Sequence, residues 1–197
     1  MYKMIIAILF GSTLLAQAYD PSFDCVKAST SSEKLICSDE VLSKLDNTLA
    51  KTYNKTFNAY PKEEREDLSS EQKMWVKKRE KCMASSLPTG CVKRAYETRI
   101  SQLQISGGQV VVPEAVYYKC DGKTDNSLTV IFYNNVQLPA VVLTLPSEQY
   151  IAYASMSGSG AKYISKDIEF WEHHGDATLK HHGKTIQCKK FTNNFEG

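Results

Sequence analysis

The spacing of apolar side chains changes period near residue 106, and that change restricts the chain to a helical part followed by a β part. Before it, Leu42, Leu45, Leu49, Tyr53 and Phe57 recur every three or four residues, which places them on one face of a helix. Ser69, with Gln72 three residues on, reads as a capping box that starts a second helix carrying Trp75, Val76 and Arg79 and ending at Cys82. Val92, Tyr96, Ile100 and Leu103 mark a third, after a break at Pro88-Thr89-Gly90. Beyond residue 106, short alternating segments rich in Val, Tyr, Thr and Ile predict strands near 115–120, 128–133, 138–145, 149–155, 161–165, 168–173, 176–181 and 184–189. Eight short strands can close a small barrel, which removes the exposed edges of an open sheet. The expected fold class is therefore α+β in two domains: a small disulfide-bonded helical hairpin or bundle over 19–106 and an antiparallel eight-stranded β-barrel over 114–197. The joint at Ser106-Gly107-Gly108 opens a linker, 107–113.

The N-terminus and the cysteines fix the compartment. Lys3 precedes an apolar run from Ile5 to Leu15 and a small-x-small signal, Ala16-Gln17-Ala18, so residues 1–18 read as a signal peptide cleaved near Ala18. The run is too short to span a bilayer comfortably, and Cys25 follows Ala18 without the context of a lipid-attachment site. A periplasmic or secreted protein without a membrane anchor is expected. Six cysteines in a chain with a leader imply three disulfides, and the absence of any CxxC argues against a zinc site. Because Cys37 precedes the first long helix and Cys82 ends the next, an antiparallel hairpin predicts Cys37–Cys82 together with Cys25–Cys91. Cys120 and Cys188, on the first and last strands, should pair and close the barrel, a bond worth about 4 kcal/mol on the chain-entropy model. Losing Lys3 with the leader leaves 23 of the 24 basic residues against 22 acidic ones, a balance that suggests neither nucleic acid nor anionic membrane as a partner.

Four histidines form two pairs, His173-His174 and His181-His182. An extended strand between His174 and His181 would hold them roughly 23 Å apart, which rules out one shared metal site. Neither pair has a cysteine or an evident carboxylate at ligand spacing, so two exposed surface pairs, no metal and no cofactor are expected. Acidic pairs such as Asp24 with Glu33, or Glu169 with Glu172, mimic a glycosidase dyad, but carboxylates so spaced are usually solvated. With no nucleophile, base or cofactor motif recognisable, the chain does not read as an enzyme.

The helical part carries Asp24-Cys25, Thr30-x-x-Glu33, Ile36-Cys37, Leu45-Asp46-x-x-Leu49-x-x-x-Tyr53, Gln72-x-x-Trp75-x-x-x-Arg79-x-x-Cys82, Cys91 and Tyr96-x-x-Arg99-Ile100. On these it resembles the LprI-like family of exported helical domains, whose members have been associated with lysozyme inhibition. The motif residues themselves read as architectural, since Leu, Tyr and Trp at helical spacing belong to cores far more often than to binding sites. No site is assigned there.

The β part carries Tyr118-x-Cys120, Ser157-Gly158-Ser159-Gly160-Ala161-Lys162-Tyr163, Phe170-Trp171, Ala177-x-Leu179 and Cys188. It resembles the C-type lysozyme inhibitor family, MliC/PliC-like, over about residues 115–190. The resemblance implies that a serine loop and a lysine fourteen residues later, after an aromatic pair, enter the cleft of a c-type lysozyme. The serine maps onto Ser159, and fourteen residues on stands His173 where the family has lysine followed by glycine and an acid. A shifted turn would instead bring Gly175-Asp176 into that register and leave His174 as the cation. Ser159, Gly160, Lys162, Tyr163, His173 and His174 are accordingly the expected target-binding residues, His173 ahead of His174.

Such a loop makes physical sense, because a retaining glycosidase holds two carboxyl groups about 5 Å apart. A serine hydroxyl can donate to one of them, flanking glycines let the backbone approach closely, and a cation beside it adds a charge-assisted bond. Taken alone, Ser157 to Gly160 would read as an ordinary turn. The expected function is that of an exported proteinaceous inhibitor of c-type lysozyme. The alternatives are an envelope scaffolding or interaction module, and a metal-binding protein using the histidine pairs.

Overall fold

The computed structural model describes residues 20–121 and 127–191. The expected signal peptide and its cleavage point lie outside the described residues. Four helices come first: α1 (Ser31–Ser38), α2 (Glu40–Ala59), α3 (Lys62–Glu80) and α4 (Pro88–Ser106), with short 3-10 turns at Cys25–Lys27 and Lys81–Ala84. Each start has a local cause. The Thr30 side chain accepts from the Glu33 backbone N–H while the Glu33 carboxylate accepts from Thr30 N–H, a complete capping box for α1. Asp39 caps α2 by accepting from Leu42 N–H at 3.0 Å.

Helix α3 starts seven residues before Ser69, where the sequence predicted its cap, and Ser69 sits inside the helix with its hydroxyl 3.2 Å from that of Tyr53. Residues 62–67 are all charged, so they carry no apolar period to read. They are nonetheless good helix formers, with Glu63 and Glu64 in the first turn and Lys77, Lys78 and Arg79 in the last, matched to the helix dipole. Pro88, read as part of a break, is instead the first residue of α4, where its fixed φ suits the helix and its missing N–H costs nothing.

The apolar faces of α2 and α4 bury Leu42, Leu45 and Leu49 against Val92, Tyr96, Ile100 and Leu103, with Ile36 and Leu68 closing the cluster. Inside it the Tyr96 hydroxyl donates to Asp46 at 2.7 Å and accepts from Arg79 Nη1 at 2.6 Å, while Ser22 N–H reaches the other Asp46 oxygen at 2.8 Å. Burial is the main reason the Tyr96 phenol is pushed far above its ordinary pKa; Arg79 opposes the shift and Asp46 reinforces it.

The helical disulfides are Cys25–Cys37 and Cys82–Cys91, which replaces the expected pairing of Cys37 with Cys82 and Cys25 with Cys91. The reason is the extra short helix. Cys37 belongs to α1, onto which the 3-10 turn at Cys25 folds back, and Cys82 lies in the turn that hands α3 over to the first turn of α4. Both bonds are therefore local staples.

Eight antiparallel strands then run β1 (Ala115–Cys120), β2 (Ser127–Tyr133), β3 (Ala140–Thr144), β4 (Gln149–Ser155), β5 (Ala161–Ile164), β6 (Ile168–His173), β7 (Asp176–His181) and β8 (Lys184–Phe191). They form a closed barrel in sequence order, β8 returning to β1 with Cys120 opposite Cys188, and those two cysteines are bonded. Alternation is plain in β6, where Ile168 and Phe170 are buried and Glu169, Trp171 and His173 are partly exposed. Tyr118, Leu128, Val130, Leu143, Phe170 and Leu179 fill the interior. Each such side chain contributes about 1.5–3 kcal/mol of hydrophobic burial.

The antiparallel registers place the 134–139 and 156–160 loops and the 174–175 turn at one end of the barrel, and the 145–148, 165–167 and 182–183 turns at the other. Helix α4 docks near the first end. Ser101 Oγ accepts from Leu138 N–H at 2.7 Å and donates to Leu138 O at 3.0 Å, Gln104 accepts from Gln137 N–H at 2.9 Å, and Arg94 donates to Ala154 O at 2.6 Å. The connecting segment is pinned too, with Gln109 Nε2 donating to Thr52 O and Thr56 Oγ1.

Candidate functional site

The expected site residues sit in β5, β6 and the loops that precede and follow them. Ser157, Gly158, Ser159 and Gly160 are all exposed at the loop between β4 and β5. The Ser159 carbonyl accepts from Trp171 Nε1 at 2.9 Å and from the Ser157 hydroxyl, so its backbone is held from two sides. No hydrogen bond occupies the Ser159 hydroxyl among the described residues.

Gly160 is the close-approach position of the loop. Its φ is +66°, and a Cβ added there would lie 2.3 Å from Glu172 O and 3.1 Å from His173 Cβ and Cδ2. The serine loop therefore rests directly on the end of β6, with Gly160 against His173.

His174 and Gly175 form the β6–β7 turn, with φ of +56° and +90°, and His173 faces Asp176 across it. The Glu172 carboxylate accepts from Gly175 N–H at 2.8 Å and braces the turn. The rings of Trp171, His173 and His174 stack in order, with centroids 5.9 and 4.2 Å apart and interplanar angles of 18° and 11°. His173 lies in the middle of the stack against Gly160, and His174 is the exposed residue at the turn.

Two other expected residues have different places. Lys162 lies on the outer wall and shares the Glu169 carboxylate with Lys180, each nitrogen 3.1 Å from the same oxygen. Partial burial pushes the Glu169 carboxyl up, but hydrogen bonds and charge from Lys180 and Lys162 outweigh it and leave the group below its ordinary value. These residues, with Trp171 and Thr178, line a groove under Met156 and Ser157, and Met156 is 97% exposed. Tyr163, by contrast, is buried in the barrel, edge-on to Phe132 at 5.9 Å. Its phenol is raised by burial first and by the Glu172 charge second. Tyr163 thus belongs to the barrel core and is only 6% exposed.

Of the acidic pairs, Glu33 is consumed by its capping box, Glu169 by two lysines and Glu172 by the turn. At the opposite barrel end the sequence reading missed a contact. Glu148 in the β3–β4 turn lies 3.2 Å from His181 Nε2 and 3.7 Å from His182 Nε2, so this histidine pair does have a carboxylate partner. Its separation of more than thirty positions in the chain hid it from any reading by local spacing.

Helix bundle and barrel together define a two-part, disulfide-stabilised protein. Residues 25–103 match the family described as lysozyme inhibitor LprI, and residues 118–187 match that of the membrane-bound lysozyme-inhibitor of c-type lysozyme. The chain belongs to the LprI family. It is 35% identical over 168 residues to the lipoprotein LprI of Mycobacterium tuberculosis and to that of Mycobacterium bovis, an alignment covering 85% of this chain and 83% of each relative. The chain is also 32% identical over 66 residues to the membrane-bound lysozyme inhibitor of C-type lysozyme from Cupriavidus necator, covering 34% of this chain and 51% of that protein. No described helix of this chain is long and apolar enough to cross a membrane.

Proposed function

We propose that this protein is an exported inhibitor of c-type lysozyme that acts by occupying the enzyme's cleft with the Ser159 loop and the His173-His174 turn. The observation that carries the reading is the seating of Gly160 on Glu172 and His173, which supports a common surface formed by the serine loop and the histidine turn. The hydroxyl would donate to one catalytic carboxylate and an imidazole N–H to the other, so inhibition is by binding and needs no turnover. His173, in the ring stack, is the imidazole nearest the loop, and His174 stands beside it at the turn.

The helical part stands in this reading as a docked support for the barrel, over residues 19–106, with 107–113 as the connection to the inhibitory domain, 114–197. Export follows from the apolar N-terminus and is supported by the envelope-associated names of the relatives. Cys25 is bonded to Cys37, so its sulfur is not available to carry a lipid. The test is a titration of c-type lysozyme lytic activity with the purified full chain. Saturable, stoichiometric loss of lysis supports the reading, and undiminished lysis at excess protein rejects it.

A further inference from the structure

Two hairpins of the barrel carry the same tripeptide, His-His-Gly, yet they differ in what surrounds them. In the β6–β7 turn the nearby Glu172 carboxylate is engaged by Gly175 N–H. In the β7–β8 turn, His181 and His182 both approach the single Glu148 oxygen Oε2, and one donor atom from each of the three residues lies within 4.8 Å of the others.

That convergence needs a particular backbone. Neighbours in a strand point to opposite faces, so two adjacent histidines would ordinarily diverge. Here His182 leaves the strand at φ +48° and Gly183 follows at +74°, which swings the second imidazole round until the ring centroids are 3.9 Å apart. The two-residue hairpin turn sets both φ values, as it does at His174-Gly175 in the other hairpin. Tyr150 completes the arrangement: its hydroxyl donates to Glu148 Oε2 at 2.7 Å and lies 2.8 Å from His181 Nε2, and its ring meets His181 edge-on at 5.1 Å. The His181 side chain is 12% exposed, while Glu148 and His182 are open to solvent.

We propose that Glu148, His181 and His182 form a binding site for a divalent transition-metal ion, Zn²⁺ above others, with a water completing the tetrahedron. Two imidazole nitrogens and a carboxylate oxygen are donors that suit this class of cation. Bonds of about 2.0–2.2 Å in a tetrahedron require donor atoms roughly 3.4 Å apart, and Glu148 Oε2 lies 3.2 and 3.7 Å from the two imidazole nitrogens. The Tyr150 hydroxyl contacts the same two donor atoms, Glu148 Oε2 and His181 Nε2, so it marks the place where they converge and turns aside when the cation takes both. The site lies at the barrel end away from Ser159 and does not rest on the inhibitory reading.

The experiment is calorimetric titration of ZnCl₂ into the tag-free, chelator-treated full chain. One Zn²⁺ per chain is expected. Glu148→Gln and His182→Asn, both at exposed positions, should each weaken binding by about tenfold or more, while the double variant His173→Asn/His174→Asn keeps the wild-type affinity. Circular dichroism verifies that each variant is folded, and lysozyme inhibition in His182→Asn should match the wild type, which separates this site from the other end of the barrel. No saturable binding by the wild type, wild-type affinity in both Glu148→Gln and His182→Asn, or loss only in the His173/His174 variant would overturn the proposal.

Discussion

Ser159 is a residue whose backbone is tied and whose hydroxyl is not, so its side chain can be removed without disturbing what holds the loop. Ser159→Ala should leave the thermal unfolding curve unchanged and weaken inhibition by about 1–3 kcal/mol, the cost of one bond to a charged group, read as a rise in inhibition constant. Gly160 behaves oppositely. Gly160→Ala puts a methyl into the Glu172 carbonyl at a left-handed φ, so both stability and inhibition should fall, which denaturant unfolding and the lytic assay measure together. The resemblance expects a lysine where His173 stands, so in the proposed complex His173→Lys should keep or tighten inhibition through a charge-assisted bond to a lysozyme carboxylate, whereas His173→Gln should weaken it. Equal inhibition constants for all three proteins would remove His173 from the interface. The sequence proposes Ser159, Gly160 and His173 from one motif and one spacing, and the contact of Gly160 with His173 is the part of that arrangement visible in the fold. The burial of Tyr163 was obscured by that same motif, since strand alternation sends Tyr163 inward and its neighbour Lys162 outward.

The elements were legible where their periodicity was apolar. All eight strands appear within a few residues of the expected bounds, because turn residues and alternation recur together in β1 to β8. Helix α3 was misplaced since its first turns are charged throughout, and α1 was missed as a helix because it is only eight residues long, though Thr30 and Glu33 spell its cap. That cap gives a prediction about acid. Glu33 lies below its ordinary carboxylate value of 4.5, chiefly through the backbone N–H of Thr30 and then that of Ser29. A carboxylate lowered in the folded state stabilises the protein above its unfolded value and loses that contribution as pH falls through the folded one. The melting-temperature gap between wild type and Glu33→Gln should therefore be open at neutral pH and close below about pH 4; a gap independent of pH would contradict the capping role. In the barrel, Trp171 couples β6 to the serine loop through one bond from its indole N–H.

At the scale of the whole molecule, the docking of α4 beside the loop end of the barrel makes the helical part a structural neighbour of the proposed inhibitory surface. Sequence reading placed a linker between the two parts, but the hydrogen bonds of Arg94, Ser101 and Gln104 are long-range and leave no trace in local spacing. The disulfide map has the same lesson. Cys120 and Cys188 follow from barrel closure, whereas the helical pairs depended on a short helix that apolar period did not reveal. Peptide mapping of the unreduced protein should return Cys25–Cys37, Cys82–Cys91 and Cys120–Cys188, and a Cys37–Cys82 peptide would refute that connectivity. The central claim is tested most directly by one titration: residual lytic activity of c-type lysozyme against increasing amounts of the full chain, in parallel with its Ser159→Ala variant. The account predicts stoichiometric inhibition by the wild type and a weaker curve for the variant. Equal curves for both proteins, or no loss of lysis with either, would contradict it.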